Sequence, residues 1–372
     1  MAGIYFHVPF CKQRCIYCDF FSSVTVRLKD SYVDSMCQEL SKRQNYLEGQ
    51  KIGTIYFGGG TPSLLSPSDF EKIFDALSVF SFQPDMEITL EANPDDLSET
   101  YLDALRMLPF NRISLGVQSF HDRELQFLRR RHDAAAAVRA VKRCQQKGFG
   151  NISIDLMYGL PPQTLPSWKQ SIEQALALDV PHISAYHLTY EEGTPLMRLM
   201  QKKRWQAQPE ETSLAMFEHL IHRLSDTGYE HYEISNFARA GYQSRHNSAY
   251  WNGTPYLGIG ASAHSFDGKS RQWNMKSLDY SNQSVQREIL SETDRYNDFI
   301  ITRLRTMRGI DLQEMQRLFG AEQVQRCLQQ AQSQITNHFL EHTDHHLRLT
   351  QQGIFISDSI LLELISIQDG VA

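Results

Sequence analysis

The chain has 372 residues, of which 41% are apolar and 22% are charged, and its formal net charge at pH 7 is −6. This composition excludes an intrinsically disordered or fibrous protein, and the acidic balance argues against nucleic acid as a partner. No apolar run reaches the roughly 18 residues of a membrane span, and the first residues do not resemble a secretion signal, so we expect a cytoplasmic protein with two domains.

Short β-rich runs alternate with amphipathic helical patterns over the first 230 or so residues. Strands are predicted at residues 4–8, 53–57, 86–92, 112–117, 152–158 and 182–188. Helices are predicted between them at 30–46, 68–80, 98–108, 133–147 and 167–178. This alternation indicates an α/β fold with a parallel sheet, either an open doubly wound sheet or a partial barrel. In both, ligands gather at the carboxyl ends of the strands, so the loops after the strands should surround one mouth.

Three of the six cysteines follow the first predicted strand, in the sequence CKQRCIYC. Cys11, Cys15 and Cys18 have the spacing C-x3-C-x2-C, and three thiolates on one short loop can hold an iron–sulfur cluster with one iron open to a small molecule. Zinc with His7 as a fourth ligand, or three buried cysteines without a ligand, are the alternatives. The other cysteines each lie alone in a helical pattern and are predicted to be core residues: Cys37, Cys144 and Cys327.

The second predicted strand runs into three glycines, in the sequence YFGGGTP. Glycines at a strand end let the backbone approach a ligand closely and expose N–H groups to its polar end. No Gly-Lys-Ser or Gly-Lys-Thr follows, so the stretch is not a Walker A loop. A tight turn is the alternative, but the nearby cysteine loop favours a ligand site.

The alternation stops near residue 235, so we predict two domains, residues 1–235 and residues 236–372. The sequence LGIGASAHSF beyond this point reads as a packing turn rather than a dinucleotide-binding loop. The last third predicts helices at 295–306, 311–318 and 321–335, a hairpin in HFLEHTDHHLRLT and a final helix from Thr350. This is a mainly helical, winged-helix-like arrangement. Its helices carry mixed charge, so we expect a packing role rather than DNA binding.

These motifs together resemble the radical S-adenosylmethionine (radical SAM) superfamily. The cysteine loop with Tyr17 before its last cysteine, followed by GGGTP, EANP and GVQSF, carries the resemblance. It implies a partial (β/α)6 TIM-like barrel and a 4Fe-4S cluster with S-adenosylmethionine on the open iron. In this superfamily the reduced cluster cleaves the cofactor to a 5′-deoxyadenosyl radical.

Over nearly the whole chain, the sequence is similar to the oxygen-independent coproporphyrinogen III oxidase branch of that superfamily. The stretches YFHVPFCKQRCIYCDF, LEANPDDL, IDLMYGLPPQT and AYHLTYEEGTPL carry this similarity. It implies contacts to the cluster-bound S-adenosylmethionine from Tyr5, Gly59 and Glu91. In the oxidase a second S-adenosylmethionine is held by residues that match Gly60, Thr61, Gln118, Arg130 and Asp155.

Two features separate the chain from the oxidase. The oxidase has a further cysteine two positions after the third cluster ligand, where this chain has Phe20. The sequence RHNSAYW, at 245–251, matches the HNxxYW signature of HemW-type haem chaperones, relatives that bind haem rather than make its precursor. The resemblance therefore implies haem binding, with His246 as a candidate iron ligand and Tyr250 and Trp251 as apolar surface for the porphyrin.

The implied function is a haem chaperone that binds a 4Fe-4S cluster, S-adenosylmethionine and haem, and transfers haem to an acceptor protein. The alternative is the oxidase activity itself, a radical oxidative decarboxylation that forms protoporphyrinogen IX, and Phe20 argues against it. The implied partners are haem, a haem-accepting protein and an electron donor for the cluster, without nucleic acid. Peripheral association with a membrane stays open.

Overall fold

The computed structural model describes residues 1–279 and 285–366 of the chain. Its first six strands are β1 (Ala2–Val8), β2 (Ile52–Gly59), β3 (Phe82–Ala92), β4 (Arg112–Gln118), β5 (Ile152–Tyr158) and β6 (His182–His187). They pair in parallel and in chain order. Every predicted strand is confirmed near its predicted bounds, and the α/β class with a partial TIM-like barrel is confirmed with them.

Eight helices follow or separate these strands: α1 (Lys29–Lys42), α2 (Pro67–Ala76), α3 (Glu99–Leu105), α4 (Asp122–Leu128), α5 (Ala134–Gln146), α6 (Leu165–Ala177), α7 (Pro195–Gln201) and α8 (Glu210–Asp226). Capping residues in the sequence determine where several of these helices begin. Ser66 and Asp69 form a reciprocal capping box at the start of α2, with Pro67 in the first turn. The five predicted helices are confirmed, whereas the short helices α4 and α7 were not predicted.

The two faces of the parallel strands differ in polarity, because successive side chains point in opposite directions. One face is apolar and is covered by helices. Phe57 of β2, for example, stacks on Phe6 of β1 at 4.6 Å between ring centroids and packs edge-on against Phe70 of α2 at 5.3 Å. The other face carries polar side chains that contact one another across the strands, as Tyr56 of β2 does with Glu91 of β3. This polar face lines the barrel interior and opens toward the cysteine loop.

Six further strands lengthen the sheet: β7 (Glu230–Glu233), β8 (Asn236–Ala238), β9 (Tyr256–Ile259), β10 (His264–Phe266), β11 (Ser270–Trp273) and β12 (Gln286–Ile289). A short helix, α9 (Arg245–Trp251), lies between β8 and β9. The strand order in the sheet is β12-β11-β10-β9-β1-β2-β3-β4-β5-β6-β8-β7. Strands β7 and β8 pair with each other across residue 235. The domain boundary at this residue therefore stays a prediction. We propose instead that the unit that contains the large sheet extends to Ile289.

The last part of the described chain contains α10 (Glu292–Leu304), β13 (Ile310–Asp311), α11 (Leu312–Thr336), β14 (Leu340–His342), β15 (His346–Leu349), α12 (Gln351–Phe355) and α13 (Ser357–Leu364). Its small sheet has the order β13-β15-β14, which confirms the predicted hairpin. The predicted helices 311–318 and 321–335 meet at Gly320, whose φ of 87° interrupts α11. This unit contacts the barrel through Arg303, which donates to the backbone oxygens of Trp251 and Asn252 at the end of α9.

Among the described helices, none is both long enough and apolar enough to cross a bilayer.

Candidate functional site

The three clustered cysteines lie on the loop that leaves β1. Cys11 is buried, and Cys15 and Cys18 are half-buried. The Thr61 hydroxyl donates to Cys11 Sγ at 3.6 Å, and Arg130 Nη1 donates to Cys15 Sγ at 3.4 Å. Burial raises the pKa of Cys11, and it raises the pKa of Cys18 to about 11. These donors would stabilise negative charge on the sulfurs, as thiolate ligands need.

The surroundings of these thiols argue against His7 as the fourth ligand of a zinc ion. Within residues 1–279 and 285–366, no three His, Cys, Asp or Glu side chains converge as ligands of one metal ion. His7, the fourth ligand in the zinc alternative, uses both ring nitrogens, with Nδ1 3.1 Å from the Tyr5 hydroxyl and Nε2 2.8 Å from the Phe21 carbonyl oxygen. An iron–sulfur cluster spans more space than one ion and takes thiolates from a single loop. The donor set therefore fits a cluster.

The glycines at the end of β2 let this strand pack closely on the cysteine loop. The Gly60 N–H donates to the Val8 carbonyl oxygen at 2.9 Å, and a Cβ on Gly60 would lie 2.8 Å from that oxygen. Gly59 has a φ of 106°, and a Cβ there would lie 2.6 Å from the His7 ring. At Gly58 a Cβ would lie 3.0 Å from the Glu91 carboxylate. Any side chain here would displace the loop or fill the space beside Glu91.

Glu91, at the end of β3, is held by two donors from β2. The Tyr56 hydroxyl donates to Oε1 at 2.7 Å, and the Gly59 N–H donates to Oε2 at 3.2 Å. Burial, together with the negative charge of Asp155, raises the pKa of this carboxyl group to about 7. A fixed, buried carboxylate of this kind can accept hydrogen bonds from an amino group of a ligand.

Two residues of the predicted second set of ligand contacts, Thr61 and Arg130, are linked by a residue that the sequence alone does not single out. Asn93 follows β3, donates from Nδ2 to Thr61 Oγ1 at 3.2 Å and accepts from Arg130 Nη2 at 2.5 Å. The same Arg130 nitrogen donates to the Gly116 carbonyl oxygen at 2.6 Å. Asn93 lies in the motif EANP, and this motif was the only sequence signal that could have identified it as a site residue. Asn93 links the end of β2 to the segment after β4.

Asp155 and Gln118 lie on neighbouring strands of the same mouth. The Ser114 hydroxyl donates to Asp155 at 3.3 Å, and burial raises the pKa of Asp155 to about 6. Gln118 ends β4 with a φ of 68°, a left-handed conformation that few residues other than glycine adopt. Tyr17 is half-buried near Cys15 and packs against a small apolar cluster that includes Leu196. The ends of β1 to β5 thus converge as the sequence predicts.

His246 lies inside the barrel, below the level of Glu91. It is 2% exposed, and its ring stacks on Tyr56 at 4.9 Å between centroids. Nδ1 is 2.8 Å from the Thr54 hydroxyl and Nε2 is 2.9 Å from the Tyr250 hydroxyl. Burial lowers the pKa of the ring to about 3, so it is neutral. In this arrangement neither ring nitrogen is available to an iron atom.

The helix that carries His246 is anchored at its start by a buried carboxylate. The backbone N–H groups of Arg245 and His246 each donate to Glu87 of β3 at 3.0 Å, and Ser244 caps the helix through the Asn247 N–H. We call this anchored region, which comprises α9, Thr54 and Glu87, the barrel floor.

The aromatic residues of the HNxxYW motif point to two different cavities. Tyr250 lines one of about 310 Å³ beside the cysteine loop. Trp251 lines another, of about 220 Å³, together with Glu233 and Arg303. The two side chains therefore do not form a single apolar surface.

The cavity of about 310 Å³ is hereafter the rim cavity. Its walls include Tyr5, Phe20, Tyr250, Tyr256, His264 and Lys276. The Phe20 side chain is 61% exposed, although it is apolar and follows the cysteine loop directly. Large exposed aromatic side chains at an open cavity are typical of ligand-binding surfaces.

Comparisons with known proteins agree with this architecture. The profile of the radical SAM superfamily matches residues 5–175, and the profile of the HemN C-terminal domain matches residues 290–356. The chain is 32% identical to "Heme chaperone HemW" of Lactococcus lactis over 96% of this chain and 95% of that protein. It is 40% identical to "Heme chaperone HemW" of Bacillus subtilis over 74% of this chain and 73% of that protein.

Among solved structures, coproporphyrinogen III oxidase (HemN) from Escherichia coli superposes on the chain with a TM-score of 0.84. The match covers 98% of this chain and 90% of that one at 24% identity, which shows a shared fold. The HemN C-terminal profile begins directly after β12, the last strand of the large sheet.

Proposed function

The chain belongs to the HemW family of radical SAM proteins, and from this premise we propose that it is a haem chaperone. In this proposal the protein holds a 4Fe-4S cluster, binds S-adenosylmethionine and haem, and passes haem to an acceptor protein. The curated relatives at 32% and 40% identity carry the name heme chaperone, which supports the assignment.

Cys11, Cys15 and Cys18 would hold the cluster, which together with S-adenosylmethionine supplies one-electron chemistry when bound. The donors to their sulfurs, Thr61 and Arg130, would reduce the negative charge on the thiolates. This stabilises the ligated form of the loop. An external electron donor is part of the proposal, because reduction of the cluster needs one.

Glu91 is proposed to accept from the amino group of S-adenosylmethionine, with Tyr5 and the Gly59 backbone beside it. The two hydrogen bonds that already fix the Glu91 carboxylate support this role, since they hold it in one orientation. The second set of contacts is proposed to be Gly60, Thr61, Gln118, Arg130 and Asp155. The link of Thr61 to Arg130 through Asn93 supports a common site for these two residues.

One observation favours the chaperone over the oxidase: Phe20 lies exposed on the rim cavity, at the position where the oxidase has a cysteine. An apolar ring suits contact with a flat ligand, and it cannot supply a thiol. We also propose that the protein works in the cytoplasm. Six free cysteines and a reducible cluster suit a reducing compartment.

The test is an anaerobic titration of the cluster-reconstituted protein with haem, followed by Soret absorbance, with and without S-adenosylmethionine. We expect saturable haem binding and haem loss to apomyoglobin, added as a trap. A parallel incubation with coproporphyrinogen III, S-adenosylmethionine and a reductant should give no protoporphyrinogen IX. Formation of that product, or absence of haem binding, would overturn the proposal.

A further inference from the structure

The rim cavity contains a histidine that differs from His246 in exposure and in hydrogen bonding. We propose that His264, rather than His246, ligates the haem iron, with the porphyrin seated in the rim cavity. This inference rests on the proposed function, because it assigns the haem site of the same protein. His264 lies in LGIGASAHSF, the stretch that the sequence predicted to be a packing turn.

The His264 imidazole is free to act as a ligand. Its side chain is exposed, and within residues 1–279 and 285–366 its ring makes no hydrogen bond. The ring stacks on Trp273 at 6.0 Å between centroids, which fixes its plane without using either nitrogen. Burial of part of the ring, together with Lys276 and Arg271, lowers its pKa. A lowered pKa favours the neutral ring, which is the form that ligates iron.

The backbone behind His264 is rigid. Strand β10 pairs with β11, and Gly258 of β9 approaches so closely that a Cβ there would lie 2.0 Å from the His264 carbonyl oxygen. The next residue, Ser265, accepts from Arg43 Nη2 and from the Gly258 N–H, each at 2.9 Å. A ligand on this strand keeps its position, which favours a defined iron site.

The walls around His264 match the chemistry of haem. Phe20, Tyr250 and Tyr256 offer aromatic surface to a porphyrin face. Lys276 provides an ammonium group for a propionate, while Asp19 lines the same cavity and would repel one. The two charges therefore give the propionates a preferred direction.

The rim cavity is too small to enclose a whole porphyrin, which suits a protein that binds haem at an open surface and releases it. Its volume of about 310 Å³ lies at the lower end of the range for small-molecule sites, about 300 to 1,000 Å³. A porphyrin would be only partly enclosed, with one edge exposed to an acceptor. The cavity also reaches Tyr5, a predicted S-adenosylmethionine contact, so the two ligand sites adjoin.

His246 has a different role in this arrangement, as a positioning residue. Its Nε2 is bonded to the hydroxyl of Tyr250, whose ring forms part of the wall. Loss of His246 would therefore disturb the wall without removing the iron ligand. This explains how the HNxxYW motif can matter for haem while its histidine stays buried.

The experiment compares haem titrations of the full-length, cluster-reconstituted wild type with those of His264→Ala and of His342→Ala. His342 is an exposed histidine of the C-terminal unit and serves as the matched control. We expect His264→Ala to weaken haem binding about tenfold or more and to shift the Soret band, and added imidazole to restore the band. His342→Ala should titrate like the wild type. Wild-type affinity and spectrum in His264→Ala would overturn the inference.

A second pair of variants distinguishes ligation of the haem iron from the positioning of Tyr250 in the wall of the rim cavity. His264→Met should retain haem with the spectrum of a sulfur ligand, whereas His246→Gln should weaken binding but keep the wild-type Soret position. A changed Soret position in His246→Gln, with circular dichroism unchanged, would instead assign the iron to His246. Failure of the wild type to bind haem would refute the proposed function itself. Displacement of haem by S-adenosylmethionine would assign the rim cavity to the cofactor and contradict the inference.

Discussion

The rim cavity and the barrel floor each place a histidine beside aromatic rings, yet the two histidines differ in how many polar partners they have. On the floor, His246 uses both ring nitrogens and Glu87 accepts two backbone N–H groups. On the rim, Phe20 is exposed and His264 has a stacking partner only, among the described residues. Saturated, buried groups stabilise a fold, whereas unsaturated groups at an open surface can bind a ligand.

The largest effect is expected from the cysteine loop on the rim. Replacing Cys11, Cys15 and Cys18 together by alanine should lower the iron content after reconstitution from about four atoms per chain to near zero. Iron and acid-labile sulfide assays, with the visible spectrum, measure this. Cys37→Ala is the matched control, because Cys37 lies alone on α1 and should keep full iron. Equal iron in both variants would remove the cluster assignment.

On the floor, His246→Ala should lower the free energy of unfolding by about 3 to 4 kcal/mol, because it leaves two buried hydroxyl groups without a partner. His264→Ala on the rim should change it by less than about 0.5 kcal/mol. Urea denaturation followed by circular dichroism compares the two. Similar losses in both variants would mean that the floor and the rim do not differ in this way.

Glu91 lies between the two regions and should make stability depend on pH. Its pKa is raised to about 7 from a usual 4.5, so the folded protein holds the proton more tightly than the unfolded chain. The Glu91 contribution to stability should therefore fall as pH rises from 4.5 to 7, by up to about 2 to 3 kcal/mol, whereas buried histidines with lowered pKa values, such as His246, contribute the opposite slope.

Urea denaturation at pH values from 4.5 to 7 measures this contribution. As the pH rises, the free energy of unfolding of Glu91→Gln should fall less than that of the wild type. Glu233, whose pKa is also raised to about 7, contributes a similar slope to both proteins. Glu322→Gln, at an exposed position of α11, should keep the wild-type dependence. An unchanged slope in Glu91→Gln would show that the carboxyl group is ionised throughout this range.

The smallest effect on stability is expected at Phe20. Phe20→Ala should change the free energy of unfolding by less than about 0.5 kcal/mol, because the ring is mostly exposed. Haem affinity should nevertheless fall a few-fold, and Phe20→Leu should lie between alanine and the wild type. Unchanged haem affinity in Phe20→Ala would place the porphyrin elsewhere.

The sequence predicts most of the parallel sheet, because its strands are short runs rich in β-branched, aromatic and other apolar residues between amphipathic helical patterns. The cysteine loop is predictable for a similar reason, since C-x3-C-x2-C lies within eight residues. Strands β7 to β12 were not predicted. They have three or four residues each, and their pairing partners decide their conformation more than their own pattern does.

The positions of the two histidines could not be read from the sequence either. His246 is buried because Thr54 and Glu87, 192 and 159 positions away along the chain, bind its ring and its backbone. His264 is exposed because β10 turns back from β9 at the edge of the parallel strands. Both depend on contacts between distant segments, which local spacing does not encode.

The place of β1 in the sheet has a consequence for biosynthesis. This strand leads into the cysteines, and it pairs with β2 on one side and with β9, from Gly3 to Tyr256, on the other. A nascent chain therefore carries the first strand with one unpaired edge until the ribosome has made residue 256. Before that moment the sheet beside the cysteine loop is incomplete, and the unpaired edge of β1 is prone to aggregation. We therefore expect iron to be inserted after the full polypeptide has been released.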